Sequence, residues 1–350
     1  MEPRATVEIG FAAWLARADR LCAEGHAEAA LRCYRRALQE GADPDLRIGE
    51  RFRCSLACGD YASAWQEGDR VQQLRSAQDD GERQIWERFV WNGRKLDGRR
   101  VLVRCWDGHA DTIQFIRYLP HLAAHAETVA CEVEPGMIAL FAASLPSVQC
   151  WVPLGKKLPP HDEVIQASEL AHYFRTVPET IPAAPYLFAP PDTQPSTRKR
   201  VGLAWHDGGR TPSFDTLRPL LSVPEIEFVA LQRGAGRYEA AASGVTVVDE
   251  CDALSLARLV ASLDLVISAD TMAAHLAGAL GVPVWTLLDG TPEWRWTETR
   301  DDTPWYASMR LFRESEARMA RVCAALQRWS ESAESGPRNW RSTIDSHAAP

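Results

Sequence analysis

No stretch of the 350-residue chain approaches the roughly 20 consecutive apolar residues that a bilayer-spanning helix needs. An excess of positive charge is also missing. The chain has 39 Lys and Arg against 47 Asp and Glu, interspersed, for a formal net charge of -8. That disfavours a protein that binds nucleic acid through a basic face. The stretch MEPRATVEIGFAAWLARADRL is acidic and amphipathic, without the charged-then-apolar order of a secretory signal. The nine cysteines have no paired metal-ligand spacing; Cys54 and Cys58 can share a helix face but have no accompanying ligands. Reduced thiols in a cytoplasmic protein, with no metal site, are the expectation. What is present is ordinary globular composition, 46% hydrophobic and 25% charged, in a chain long enough for two or three domains.

From Phe11 to Arg75 proline and strand-like runs are scarce, and apolar residues recur at helical spacing. Gly25 in CAEGHAEAAL and Gly59 in LACGDYASAW lie 34 residues apart (59 − 25), and Ala30 and Ala64 keep that offset. Trp14, Ala18, Leu21, Gly25, Ala30, Tyr34 and Ala37 follow the order of the tetratricopeptide pattern, whose period is about 34 residues. Residues 1–90 therefore resemble about two tetratricopeptide repeats, the second degenerate. A generic pair of helical hairpins is the plainer alternative, and the matched period favours the repeat. Two repeats are too few to stand alone, so they are expected to pack on the domain that follows.

Downstream the pattern changes to β/α alternation. RVLVRC (100–105), ETVACEV (127–133) and VQCWV (148–152) read as strands, with helices at TIQFIRYLPHLAA and 135–143 between them. Proline concentrates in 177–199, which reads as a linker. Strands then resume at 200–204, 227–232, 245–248, 263–268 and 282–287, with helices at 255–262 and 272–280. The expected fold class is α/β, with two facing Rossmann-like domains at 91–190 and 198–335 and a flexible tail at 336–350. Ligands of such sheets bind beyond the carboxyl ends of the strands, and a cleft between two such domains is the expected active site.

The segment LDLVISADTMAAHLAGALGVPVW (263–285) carries polar residues where all else is apolar. Its strand-to-helix turn would aim the amides of Thr271, Met272 and Ala273 outward at the positive end of a helix, a ready anion site. Asp270 could cap the helix and Thr271 add a hydroxyl. His275, one turn on, could hold a phosphate or orient Asp270. A capped helix with a core histidine explains the turn equally well.

ISADTMAAHLAGALGVPVWTLL resembles the diphosphate-sugar segment of heptosyltransferase-like glycosyltransferases. WNGRKLDGRRVLVRCWDGHADTIQFIRYLPHLA is similar to the start of that family's first domain, and RVGLAWHDGG and EFVALQRGAG to parts of its second. GTPEWRW and DTPWYASMRLFR are similar to its late aromatic segments. The resemblance spans roughly residues 90–330, with the motifs in order. It implies a GT-B fold and transfer of a sugar from a nucleotide diphosphate, with no metal and no further cofactor; at the turn from Asp270 to Ala273 a uridine- or guanosine-type nucleotide diphosphate is expected.

On the donor side the resemblance implies Trp205, Arg210, Gln232, Arg233, Asp270, Thr271, Met272, Ala273 and His275. Arg233 stands where lysine is common, and a guanidinium can clamp phosphate by two hydrogen bonds. Trp294 and Trp296 either line the cleft or pack. On the acceptor side it implies Gly108, His109, Thr112 and Gln114, with Asp111 as general base in an inverting displacement. The family's Gly-Leu-Gly-Asp reads Gly108-His109-Ala110-Asp111 here, so a glycine has become alanine. Trp106 and Asp107 stand where Glu-Gln is common. The helical region points to a protein or peptide acceptor. An inactive relative serving as a partner-binding module is the alternative.

Overall fold

The computed structural model describes residues 10–77, 91–192, 196–205, 213–249, 251–290 and 293–332. Arg210, His206 and the segment 336–350 lie outside the described residues. By contacts the chain divides into two compact units. Unit one comprises residues 1–134, 147–183 and 289–305; unit two comprises 135–146, 184–288 and 306–350.

Unit one begins with four helices, α1 (Phe11–Ala23), α2 (Ala27–Gln39), α3 (Ile48–Ala57) and α4 (Tyr61–Ala77), which pack as successive hairpins. Gly25 and Gly59, at φ +80° and +75°, make the same left-handed turn in each hairpin. Ala18, Ala30, Ala37 and Ala64 are fully buried, which lets the helix backbones approach closely. The α4 face packs onto the rest of the unit. Trp65 Nε1 donates to the Thr176 carbonyl at 2.6 Å, and its ring stacks on His172 at 5.3 Å. Asp69 pairs with Arg175 at 2.7 Å and lies 3.0 Å from His172. Tyr61 meets the rings of Trp294 and Trp305. A chain beginning at residue 91 would expose these aromatic partners and is expected to bind a hydrophobic dye and lose solubility. Equal solubility of truncated and full chains would contradict this packing account.

The rest of unit one is a four-stranded parallel sheet, ordered β3-β2-β1-β4. Its strands are β1 (Arg100–Arg104), β2 (Thr128–Val133), β3 (Cys150–Pro153) and β4 (Glu163–Gln166). Helices α5 (His109–Phe115), α6 (Leu119–Ala123) and α8 (Leu170–Tyr173) belong to it, whereas α7 (Ile138–Ser144) packs on α11 of unit two. β4 was not legible because EVIQ is short, half-polar and preceded by proline.

Unit two is a six-stranded parallel sheet, ordered β10-β9-β8-β5-β6-β7. In chain order it contains β5 (Lys199–Ala204), α9 (Phe214–Leu217), β6 (Ile226–Ala230), α10 (Tyr238–Ala241) and β7 (Thr246–Val247). There follow α11 (Ala253–Ala261), β8 (Leu265–Ala269), α12 (Met272–Leu280), β9 (Val284–Leu288), β10 (Met309–Arg313) and α13 (Arg318–Glu331). Strand β8 is buried along its whole length and sits in the sheet's interior, as its unbroken apolar run requires. The proline-rich segment is not a free spacer throughout. Tyr186 and Leu187 donate their amides to the Ala279 carbonyl at 3.0 and 3.2 Å, and Leu187 and Ala189 are buried. Among the described residues no helix is long and apolar enough to cross a membrane.

Candidate functional site

In unit two the carboxyl ends of β5, β6 and β8 carry the polar groups. The first turn of α12 is capped by Thr271 rather than Asp270: the Thr271 hydroxyl accepts from the Ala273 amide at 3.1 Å. The Ser268 hydroxyl donates to the Ala269 carbonyl at 2.7 Å and lies 2.9 Å from that of Thr271. Each hydroxyl has one proton, so Thr271 must donate to Ser268. Thr271, only 4% exposed, therefore supplies geometry to the turn, not a hydroxyl proton to a ligand. The amides of Thr271 and Met272 precede the helical ladder and have no intrahelical acceptor.

His275 is 1% exposed, and both of its ring nitrogens face side chains of the same unit. Its Nε2 lies 3.3 Å from Asp270 Oδ1 and its Nδ1 2.8 Å from the Tyr306 hydroxyl. A carboxylate can only accept, so the proton belongs on Nε2, and Tyr306 donates to Nδ1. Gly278 makes room for this arrangement, because a Cβ there would sit 2.5 Å from the Tyr306 ring. The product is an Asp270 carboxylate held at the turn, 27% exposed, by a buried histidine and tyrosine.

The Arg233 guanidinium reaches the same turn, with Nη1 3.6 Å from Met272 Sδ. Its loop is braced by Gln232, whose Oε1 accepts from the Trp205 amide at 3.0 Å and whose Nε2 donates to the Arg233 carbonyl at 3.2 Å. Trp205 itself is 1% exposed and packs 5.0 Å from the Phe214 ring, so it belongs to the core and is not a ligand contact. Beside Arg233 lies a small recess of about 20 Å³, lined by Leu231, Gln232, Arg237, Val248, Asp249, Cys251 and Leu256. Ala273 is buried behind the turn.

In unit one, Gly108 takes φ +91° at the amino end of α5, and His109 is exposed beside it. Ala110 lies within the helix and is not among the residues with positive φ, so the alanine there imposes no backbone strain. Asp111 Oδ1 pairs with Arg295 Nη2 at 2.5 Å, the two side chains being 26% and 7% exposed. Arg295 also donates to the Gln114 side chain through a very short contact. Gln114 and Thr112 are buried, so both belong to the scaffold and not to an acceptor surface. Trp296 is fully buried, and Trp294 stacks on Phe115. Arg295 and Tyr306 were not singled out from the sequence. Their only signal was membership of the aromatic segments PEWRW and DTPWY.

Three carboxyls crowd the end of this sheet. Burial raises the Asp107 carboxyl above the usual range; the Ser168 hydroxyl, 2.6 Å away, opposes the rise, and Asp111 adds to it. Burial likewise pushes Glu169 up to about 7, against the amides of Trp91 and Gln166 that it accepts from at 3.0 and 3.1 Å. Because the folded value lies above the ordinary 4.5, this group's stabilisation is complete below about pH 4.5 and is lost as pH rises through about 7. The side chain keeps some solvent contact, so the effect should be on the order of 2 kcal/mol. Glu169→Gln should flatten the dependence of stability on pH between those values in denaturant titrations. An unchanged slope would refute the assignment. Among the described residues no three His, Cys, Asp or Glu side chains converge as a metal-binding group.

No protein-family model matches the chain. The protein FlbA of Caulobacter vibrioides is 25% identical over 88% of this chain and 60% of its own length, so the chain spans less than two thirds of that relative. A glycosyl transferase family 9 structure from Veillonella parvula superposes with a TM-score of 0.50 at 12% identity, covering 67% of this chain and 90% of that one. The E. coli heptosyltransferase WaaC gives 0.46 at 12% identity, covering 66% and 98%. The likeness to the Veillonella structure shows the fold: a mixed α/β architecture with parallel sheets, shared with glycosyltransferases of GT-B type.

Proposed function

We propose that the chain is a glycosyltransferase that moves a sugar from a nucleotide diphosphate to a hydroxyl or other nucleophile on a protein or peptide, with inversion. The observation that carries this reading is the convergence of Arg233 with the first turn of α12. Two amides without intrahelical acceptors, the positive end of a nine-residue helix and a guanidinium form a cationic seat for a diphosphate. The same groups would meet the charge that develops on the leaving diphosphate. A carboxylate beside such a seat is ill suited to phosphate and well suited to sugar hydroxyls. That is the role assigned to Asp270, with His275 and Tyr306 as its positioning residues. Asp111 would remove the proton of the attacking nucleophile, and the helices α1–α4, read as tetratricopeptide-like, would help select the acceptor.

The alternative of an inactive binding module draws on one observation, the Asp111–Arg295 ion pair, which occupies one carboxylate oxygen. Incubation with a panel of nucleotide sugars, followed by assay of released nucleotide diphosphate, separates the two. The transferase reading expects release with at least one donor. No release from any donor that binds would move the conclusion to the binding module.

A further inference from the structure

We infer that Trp106, together with Leu154, selects the acceptor by offering a fixed apolar strip to a polypeptide segment; this rests on the transferase reading above. Trp106 emerges at the carboxyl end of β1, where the Cys105 amide extends the strand pairing by donating to the Glu132 carbonyl at 3.0 Å. The indole is fixed in two ways. Its Nε1 donates to Glu132 Oε2 at 3.2 Å, and the Arg104 guanidinium lies 3.4 Å from the ring centre. Arg104 Nε donates to the same Glu132 oxygen at 2.8 Å, and these two side chains are 9% and 3% exposed. Yet Trp106 itself is 38% exposed.

Folding gives little reason for this arrangement. A buried ion pair is a weak source of stability, and an exposed indole forgoes burial of a large apolar surface. What the pair does accomplish is to hold the ring still, which lowers the entropy lost when something stacks on it. Glu132 also serves the other side of the strip. Its Oε1 accepts from the Gly155 amide at 3.4 Å, next to Leu154, which is 37% exposed. The strand order β3-β2-β1 sets Leu154 and Trp106 two strands apart, roughly 10 Å.

That span is too wide for one sugar ring and matches about three residues of extended polypeptide at roughly 3.3 Å each. The charge at its ends is polarised. Asp107 and Asp111 lie at the Trp106 end, and exposed Lys156 and Lys157 follow Leu154. The complementary segment has its hydroxyl residue near Asp111, an apolar side chain on Trp106, another about three residues away on Leu154, and an acidic residue beyond.

The test uses the full chain and synthetic twelve-residue peptides with a central serine. One set carries Leu or Phe next to the serine and three residues further on, with glutamate beyond, in both chain directions; the other set carries alanine at those places. Wild type is expected to bind the apolar set at least about tenfold more tightly. Trp106→Ser and Leu154→Ser should each erase most of that preference, and Trp106→Phe should keep most of it. Nucleotide diphosphate affinity should be the same in all four proteins. Equal binding of both sets, or a preference that survives Trp106→Ser, would overturn the inference. So would Trp106-dependent binding of oligosaccharides with none of peptides. Failure of every nucleotide diphosphate to bind would instead strike the transferase reading, since the peptide comparison does not involve the donor.

Discussion

Replacing Asp111 by asparagine should slow single-turnover sugar transfer by about two to four orders of magnitude and leave donor affinity nearly intact. The substitution keeps the size of the side chain and an oxygen that Arg295 can bond, so α5 should hold. What it removes is the oxygen able to take a proton from the nucleophile. A structural role for Asp111 predicts the opposite pattern. Arg295 is buried, and a buried cation that loses its counter-charge destabilises a fold by about 3–5 kcal/mol when nothing replaces it. The Asp111→Asn variant in that case would melt early and turn over normally. Asp111 is not the N-cap of α5; Gly108 is, without any side-chain cap, so loss of a helix cap does not enter the comparison. Rate and melting temperature measured on the same preparation separate the two roles.

Thr271→Glu should abolish nucleotide diphosphate binding. The residue is 4% exposed at the α12 turn, and a longer anionic side chain there would occupy the seat and repel phosphate. The substitution removes a threonine cap worth about 1 kcal/mol and sets a carboxylate at a buried position, so the fold of the variant is checked by circular dichroism beside the binding measurement. Arg233→Glu provides an independent check. Arg233 is exposed, so its reversal cannot be blamed on misfolding, and affinity should fall at least about tenfold by calorimetry. Unchanged affinity in both variants would remove the α12 turn from donor binding.

The strands that lie inside the sheets were the most legible. RVLVR, RVGLA and LVISA are nearly unbroken apolar runs, and β1, β5 and β8 each pair on both sides. The helix at 272–280 was legible to the residue, because a polar turn opens it and Gly281 closes it. The edges were not. In β10, MRLFR sets two arginines among three apolar residues with no period of two, which reads as surface until a neighbouring strand is known. Site partners were the least legible. Arg295 meets Asp111 across 184 residues (295 − 111), and Tyr306 meets His275 across 31 (306 − 275). No periodicity carries such pairings; only the fold brings them together. Trp205 shows the converse limit, since an aromatic at a strand end has no period to say whether it faces ligand or core. At Ala110 the neighbouring glycine was the informative residue: Gly108 already supplies the left-handed turn that the motif needs.

The central proposal is that a nucleotide diphosphate linked to a sugar binds at the α12 turn. Its most direct test is a thermal-shift titration of wild type and Arg233→Glu against ADP-, UDP-, GDP- and CMP-linked sugars. A ligand that binds only the folded state stabilises it by about 2.7 kcal/mol at a hundredfold excess over its Kd. The expected result is a concentration-dependent rise in melting temperature of wild type with at least one diphosphate-linked sugar, greatly reduced in Arg233→Glu. No rise with any of them, or an equal rise in both proteins, would contradict the claim.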